Sequence, residues 1–120
     1  MHELGILTSV MEVVDSTAKA NNATKVLEVS LCVGEMTEAI EDALRFAFDV
    51  LKEGTLAEEA ELKIRMIKPE SLCPECGEIF EHDRFHRGCP KCGNMLTQLL
   101  KGREMQIDSI EVDIPDEDEI

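Results

Sequence analysis

Four cysteines carry the plainest chemistry in this chain. They form two pairs, Cys73-Pro74-Glu75-Cys76-Gly77 and Cys89-Pro90-Lys91-Cys92-Gly93, with twelve residues between Cys76 and Cys89. A two-residue spacer lets both sulfurs of a pair reach one ion, and two pairs complete a tetrahedral shell. Gly77 and Gly93 stand where a positive φ turns backbone N–H groups back toward the thiolates. Four soft thiolates with no open position favour Zn(II) in a structural role at Cys73, Cys76, Cys89 and Cys92. Two disulfides would need an oxidising compartment, and nothing in the sequence points to secretion. A redox pair of the thioredoxin kind would sit at a helix start in a βαβ setting, and one Cys-x-x-Cys would suffice for it. Four cysteines also suit an iron–sulfur centre, but the repeated Cys-Pro-x-Cys-Gly knuckle favours zinc.

A second candidate site begins the chain. Met1 is expected to survive processing beside the bulky His2, which leaves an α-amine next to an imidazole. That amine, deprotonated backbone amides and a His nitrogen form small chelate rings around one ion. Four nitrogens in a plane suit Ni(II) or Cu(II). The first N–H groups of a helix have no intrahelical acceptor, so a metal can take the amides of His2 and Glu3 without costing the helix a hydrogen bond. By itself a His at position 2 is more often an idle, exposed side chain. His82 and His86, on a polar stretch between the cysteine pairs, read as solvent-facing, and Cys32, in an apolar run, reads as a buried inert thiol.

Composition narrows the class. The chain has 120 residues, a net charge of −14 and no Trp or Tyr, so its core must come from Leu, Ile, Val, Met and four Phe. Binding to nucleic acid needs basic surface. The cysteine segment supplies none in excess: residues 70–102 hold four basic and five acidic side chains. No apolar run approaches the roughly 20 residues of a transmembrane helix. The N-terminus lacks the basic region of a signal peptide. No nucleic-acid binding, no membrane insertion and a reduced, cytoplasmic setting are expected.

The elements that must position these residues follow from periodicity. Leu7, Val10, Met11, Val14 and Ala18 make one helical stripe over residues 4–20, with Glu3 and Lys19 placed as the helix dipole favours. Residues 25–33 alternate as a strand, and Asn21-Asn22 and Gly34 bound it. Thr37 is the expected N-cap of a second helix, whose stripe is Ile40, Leu44, Ala47, Phe48 and Leu51, with Gly54 at its C′ position. Residues 61–67 alternate again. Residues 105–114 form a third strand in which Met105 and Ile107 share one parity and Ile110, Val112 and Ile114 the other, so a bulge or bend is expected near Asp108-Ser109. The acidic run Asp116-Glu117-Asp118-Glu119 reads as a solvated tail.

This order predicts an α+β fold: two helices packed on a small three-stranded sheet, with an inserted zinc-ribbon-like module. The expected division is an α+β domain over 1–68 plus 102–114, a zinc-binding insert over 69–101 and an acidic tail over 115–120.

Taken together, Met1-His2-Glu3-Leu4, Ala43-Leu44-Arg45-Phe46-Ala47-Phe48, Gly54-Thr55, Ala60-Glu61-Leu62, the two Cys-Pro-x-Cys-Gly knuckles, and Gly102-Arg103-Glu104-Met105 running on to Ser109-Ile110-Glu111-Val112 resemble the HypA/HybF family, the nickel metallochaperones of nickel–iron hydrogenase maturation. The likeness covers the chain to about residue 114. It implies a nickel site centred on His2, with the Met1 amine and backbone nitrogens of His2 and Glu3 as donors. It implies structural zinc on Cys73, Cys76, Cys89 and Cys92. It further implies delivery of Ni(II) as cargo to the hydrogenase large subunit, with a HypB-type nucleotide-hydrolysing partner. The acidic tail is not part of the family pattern.

Two other classes compete with a non-enzymatic carrier. A zinc-ribbon adaptor on nucleic acid or a polymerase meets the adverse charge. An enzyme would need a nucleophile–base pair, a phosphate-cradling loop or an open metal position, and none is seen apart from the N-terminus.

Overall fold

The computed structural model describes residues 2–115; Met1 and the acidic run 116–119 lie outside the described residues. The elements in order are α1 (His2–Ala20), β1 (Lys25–Gly34), a 3-10 turn (Glu35–Thr37), α2 (Glu41–Leu51), β2 (Glu61–Ile67), β3 (Glu70–Leu72), β4 (Ile79–Glu81), β5 (Gln98–Lys101) and β6 (Met105–Asp113). Two three-stranded sheets result, in the orders β2-β1-β6 and β4-β3-β5. The chain divides into two compact units. One holds the chain up to Leu31, Ala39–Ile64 and the chain from Ile107; the other holds Cys32–Glu38 and Arg65–Gln106.

In the first unit the apolar stripes meet. Leu7, Val14 and Ala18 of α1 and Leu44, Ala47 and Phe48 of α2 are buried, together with Val26, Val29, Leu31 and Leu62 of the strands. Removing these side chains from water is the main favourable term in forming the unit. Arg45 holds the side of α2: its Nε donates to Glu41 Oε2 at 3.0 Å and its Nη1 to the Leu62 carbonyl at 2.8 Å. Asn22 closes α1 in the left-handed region at φ 59°. A short polar residue of that kind tolerates the conformation.

The start of α2 differs from the sequence expectation. Thr37 does not cap it. The Thr37 hydroxyl donates back to the Gly34 carbonyl at 2.7 Å and closes the 3-10 turn, after which Glu38 takes φ 64°. The N-cap is Ile40, which has no capping side chain and is 63 % exposed, so it leaves the buried stripe. At the far end the C-cap is Lys52, and Gly54 turns the chain beyond it at φ 75°.

In the second unit three short strands frame the cysteine loops. Ser71 pairs with Phe80 of β4 and Leu99 of β5, and a register shift separates Glu70 from Ser71 on the β5 side. Cys73, Phe80 and Cys89 form its small buried cluster. The 3-10 turn is tied to the chain near Gly102, because Gly34 N–H donates to the Glu104 carbonyl at 2.7 Å and Met36 N–H to the Gly102 carbonyl at 2.8 Å. The backbones come so close that a Cβ on Gly34 would stand 2.0 Å from the Gly102 oxygen. Cys32 is buried, as its apolar neighbours imply. The exposure pattern of β6 changes phase at Asp108-Ser109, where the parity of the sequence slips.

Candidate metal centres

The two knuckles repeat one backbone geometry. Gly77 N–H donates to the Cys73 carbonyl at 2.8 Å and Cys73 N–H to the Glu78 carbonyl at 2.8 Å. In the second knuckle Gly93 N–H donates to the Cys89 carbonyl at 2.9 Å and Cys89 N–H to the Asn94 carbonyl at 2.9 Å. Gly77 and Gly93 sit at φ 76° and 79°, where a side chain would be strained. Each turn folds a pair of sulfurs inward, and β3 and β4 set the first knuckle at the end of their hairpin.

The four Sγ atoms all lie within 4.8 Å of one another. The shortest separations run between knuckles: Cys73 to Cys92 at 3.5 Å and Cys76 to Cys89 at 3.6 Å. A tetrahedral centre with Zn–S bonds of about 2.3 Å places its sulfurs roughly 3.8 Å apart, so the cluster fits such an ion. A disulfide needs about 2.05 Å, and all four cysteines are free thiols. Cys73 and Cys89 form the buried side of the site, and Cys76 and Cys92 the exposed side.

Electrostatics within the cluster point the same way. Burial pushes the Cys73 thiol up, but the Cys76 N–H, the Cys92 sulfur, the Glu75 N–H and the Asn94 side chain outweigh it and bring Cys73 down to about 6. The Asn94 Nδ2 donates to Cys73 Sγ at 3.7 Å. Cys92 receives help from the Asn94 N–H, yet the Cys73 sulfur, burial, and the Cys89 and Cys76 sulfurs drive it up to about 12. Four thiols cannot all ionise at this distance by themselves, and a cation at their centre removes the conflict.

Several residues of this module carry contacts that spacing does not reveal. His82 is half-buried, not solvent-facing: its Nε2 lies 2.7 Å from the hydroxyl of fully buried Ser71, and its Nδ1 lies 2.6 Å from the Asp83 carbonyl oxygen. A carbonyl only accepts, so Nδ1 carries the proton in the neutral ring and Nε2 accepts from Ser71. His86 is exposed and pairs with Asp83 at 2.8 Å. Neither His belongs to the sulfur cluster. The Ser71–His82 contact joins β3 to the residue after β4, so no local pattern could announce it. Asn94 had a local signal, since it follows the second knuckle glycine and turns its amide toward the metal side.

At the other candidate site, His2 opens α1 with a side chain 54 % exposed. Its Nε2 stands 3.9 Å from Glu3 Oε2. Glu3 itself is only 4 % exposed. Its Oε2 accepts the Ile40 N–H at 3.0 Å. A carboxylate on α1 thus serves an N–H at the start of α2, the end of the helix dipole that favours negative charge. The sequence placed Glu3 as a first-turn acid and as a backbone nickel donor, and gave no sign of its side-chain bond to Ile40. Met1, the third residue expected at this site, lies outside the described residues.

A family model described as "Hydrogenase/urease nickel incorporation, metallochaperone, hypA" matches residues 1–112. The hydrogenase maturation factor HypA of Rhizobium leguminosarum bv. viciae is 38 % identical over 112 residues, spanning 93 % of this chain and 99 % of the relative. That of Aquifex aeolicus is 34 % identical over 114 residues, spanning 95 % and 99 %. The solution structure of the Ni metallochaperone HypA from Helicobacter pylori superposes with a TM-score of 0.67 at 27 % identity, covering 96 % of this chain and all of that one.

Proposed function

The chain belongs to the HypA family of hydrogenase and urease nickel-incorporation metallochaperones, and from that premise we propose that it carries Ni(II) at its N-terminus and hands it to the large subunit of a nickel–iron hydrogenase. The proposed donors are the Met1 amine, the His2 imidazole and backbone nitrogens of His2 and Glu3. One observation supports this most. His2 is exposed at the first position of α1, where backbone N–H groups lack helical acceptors, and the Glu3 carboxylate stands beside it, 3.9 Å from His2 Nε2, while also accepting the Ile40 N–H. In this reading Glu3 serves nickel through its backbone nitrogen, while its carboxylate, bonded to the Ile40 N–H and close to His2, holds the turn beside the donors. Since amides and imidazole must lose protons to bind, nickel is held near neutral pH and released by acid.

The resident metal of Cys73, Cys76, Cys89 and Cys92 is Zn(II) in this reading. It fixes the fold of the insert 69–101 and leaves no open coordination position for catalysis. The protein acts as a carrier without enzymatic activity, in the cytoplasm, alongside a HypB-type nucleotide-hydrolysing protein.

The test is a Ni(II) titration of zinc-loaded protein with a free, untagged Met1, followed by X-ray absorption at the nickel edge. One equivalent in a planar all-nitrogen shell, lost when a single residue is added before Met1, is the expected result. A sulfur-rich nickel shell would move the cargo to the cysteine module and overturn the reading.

A further inference from the structure

Most of residues 43–48 is explained by packing. Leu44, Ala47 and Phe48 are buried, and Arg45 is bonded to Glu41 and Leu62. Phe46 is not explained. It is 70 % exposed, and Val50, one turn further along α2, is 52 % exposed. Lone apolar residues on a surface are ordinary. Here an aromatic and a β-branched residue stand at i and i+4, which puts them side by side on the outer face of one helix. In a chain without Trp or Tyr, Phe is the largest rigid contact surface available. Asp42 and Asp49 lie around that pair at helical spacing, and Glu53 follows in the turn just past the helix. Lys52 is engaged with Asp49 at 3.1 Å and stands over the Phe48 ring, and among the described residues neither Asp42 nor Glu53 makes an ion pair.

We propose that this outer face of α2, with Phe46 and Val50 at its centre and Asp42, Asp49 and Glu53 at its rim, docks a partner protein through an apolar surface edged with Lys and Arg. Charge selects this occupant over the others. A second copy meeting the same face about a two-fold axis would bring two acidic rims together. Anionic lipid and nucleic acid would be repelled by the same rim and by a chain of net charge −14. A cationic, apolar-centred protein surface gains from both parts, the centre supplying affinity and the rim steering the encounter. None of Phe46, Val50, Asp42, Asp49 and Glu53 is among the proposed nickel donors.

The experiment places the photo-cross-linking analogue p-benzoylphenylalanine at position 46 of the full chain, in cells that mature hydrogenase, with the exposed Ser16 of α1 as control position. The expected product is an adduct with a different protein whose cross-linked peptide, sequenced by mass spectrometry, sets apolar residues among Lys and Arg. The adduct should vanish when Asp42→Lys, Asp49→Lys and Glu53→Lys are combined. With the captured protein purified, Phe46→Ala should weaken binding about thirty-fold, as loss of an interface hot spot does. Its thermal melting and nickel binding should stay unchanged. If the charge-reversed variant fails to fold, Phe46→Ala alone decides the matter. An adduct with a second copy, an adduct with lipid, or labelling no stronger than at position 16 overturns the proposal.

Discussion

Glu3 and Ile40 are 37 residues apart in the chain, and the Glu3 carboxylate accepts the Ile40 backbone N–H at 3.0 Å. The bond fastens the turn that carries His2 to the start of the second helix. Glu3→Ala removes the acceptor of that N–H, and losing a hydrogen bond to a charged group costs more than losing one between neutral groups. The expected result is a lower denaturant midpoint with an unchanged m-value. Glu3→Gln keeps an acceptor oxygen and should lose less. Nickel affinity in Glu3→Gln should stay close to that of the unaltered chain, because the proposed donor at this residue is its backbone nitrogen. A collapse of nickel affinity in Glu3→Gln with an intact fold would instead make the carboxylate a ligand.

His2→Ala should abolish nickel binding while leaving the metal content of the cysteine module and the circular dichroism unchanged. The His2 side chain is half-exposed, so truncation opens no cavity. Isothermal titration with Ni(II), run beside elemental analysis for zinc, reads both quantities in one preparation. Retention of full nickel affinity would remove the imidazole from the site.

The cysteine cluster sets a pH dependence whose sign can be worked out. In the folded cluster geometry, without an ion, Cys73 is lowered to about 6 and Cys92 raised to about 12. A lowered thiol adds stability that is full above its unfolded pKa and is lost as pH falls through about 6. A raised thiol does the reverse, with its contribution lost as pH rises through about 12. With metal bound, all four sulfurs should be ionised at neutral pH and acid should release the ion. Cys73→Ser should lose the metal and, with it, hydrogen-exchange protection of β3, β4 and β5. Unchanged exchange in those strands would show that the metal is not structural.

Gly34→Ala should be among the more damaging small substitutions. The added Cβ would stand 2.0 Å from the Gly102 oxygen, a backbone atom that cannot rotate away. Overpacking of this kind costs about 1–3 kcal/mol or more, to be read from chemical denaturation. Gly5→Ala is the control: nothing lies within 4 Å of its Cβ position, so the helix should hold or gain slightly.

Whatever is encoded at short range was legible in the chain alone. The knuckles were legible because two sulfurs three positions apart and a following glycine fix a local turn, and the structure places Gly77 and Gly93 at positive φ as that spacing requires. The stripe Leu7, Val10, Met11, Val14 and Ala18 was legible because helical period selects one face before any partner is known. The phase slip in β6 was legible for the same reason, with a period of two. The tertiary structure decided what depends on residues far apart. No local rule sends the Glu3 carboxylate to Ile40, makes Thr37 serve Gly34 instead of α2, or brings Ser71 to His82. The second sheet, with strands of three or four residues, was too short to show a period and exists through pairing alone. Local geometry is written in adjacent residues, whereas a hydrogen bond across the fold belongs to whichever donor and acceptor packing brings within reach, and only the assembled chain makes that choice.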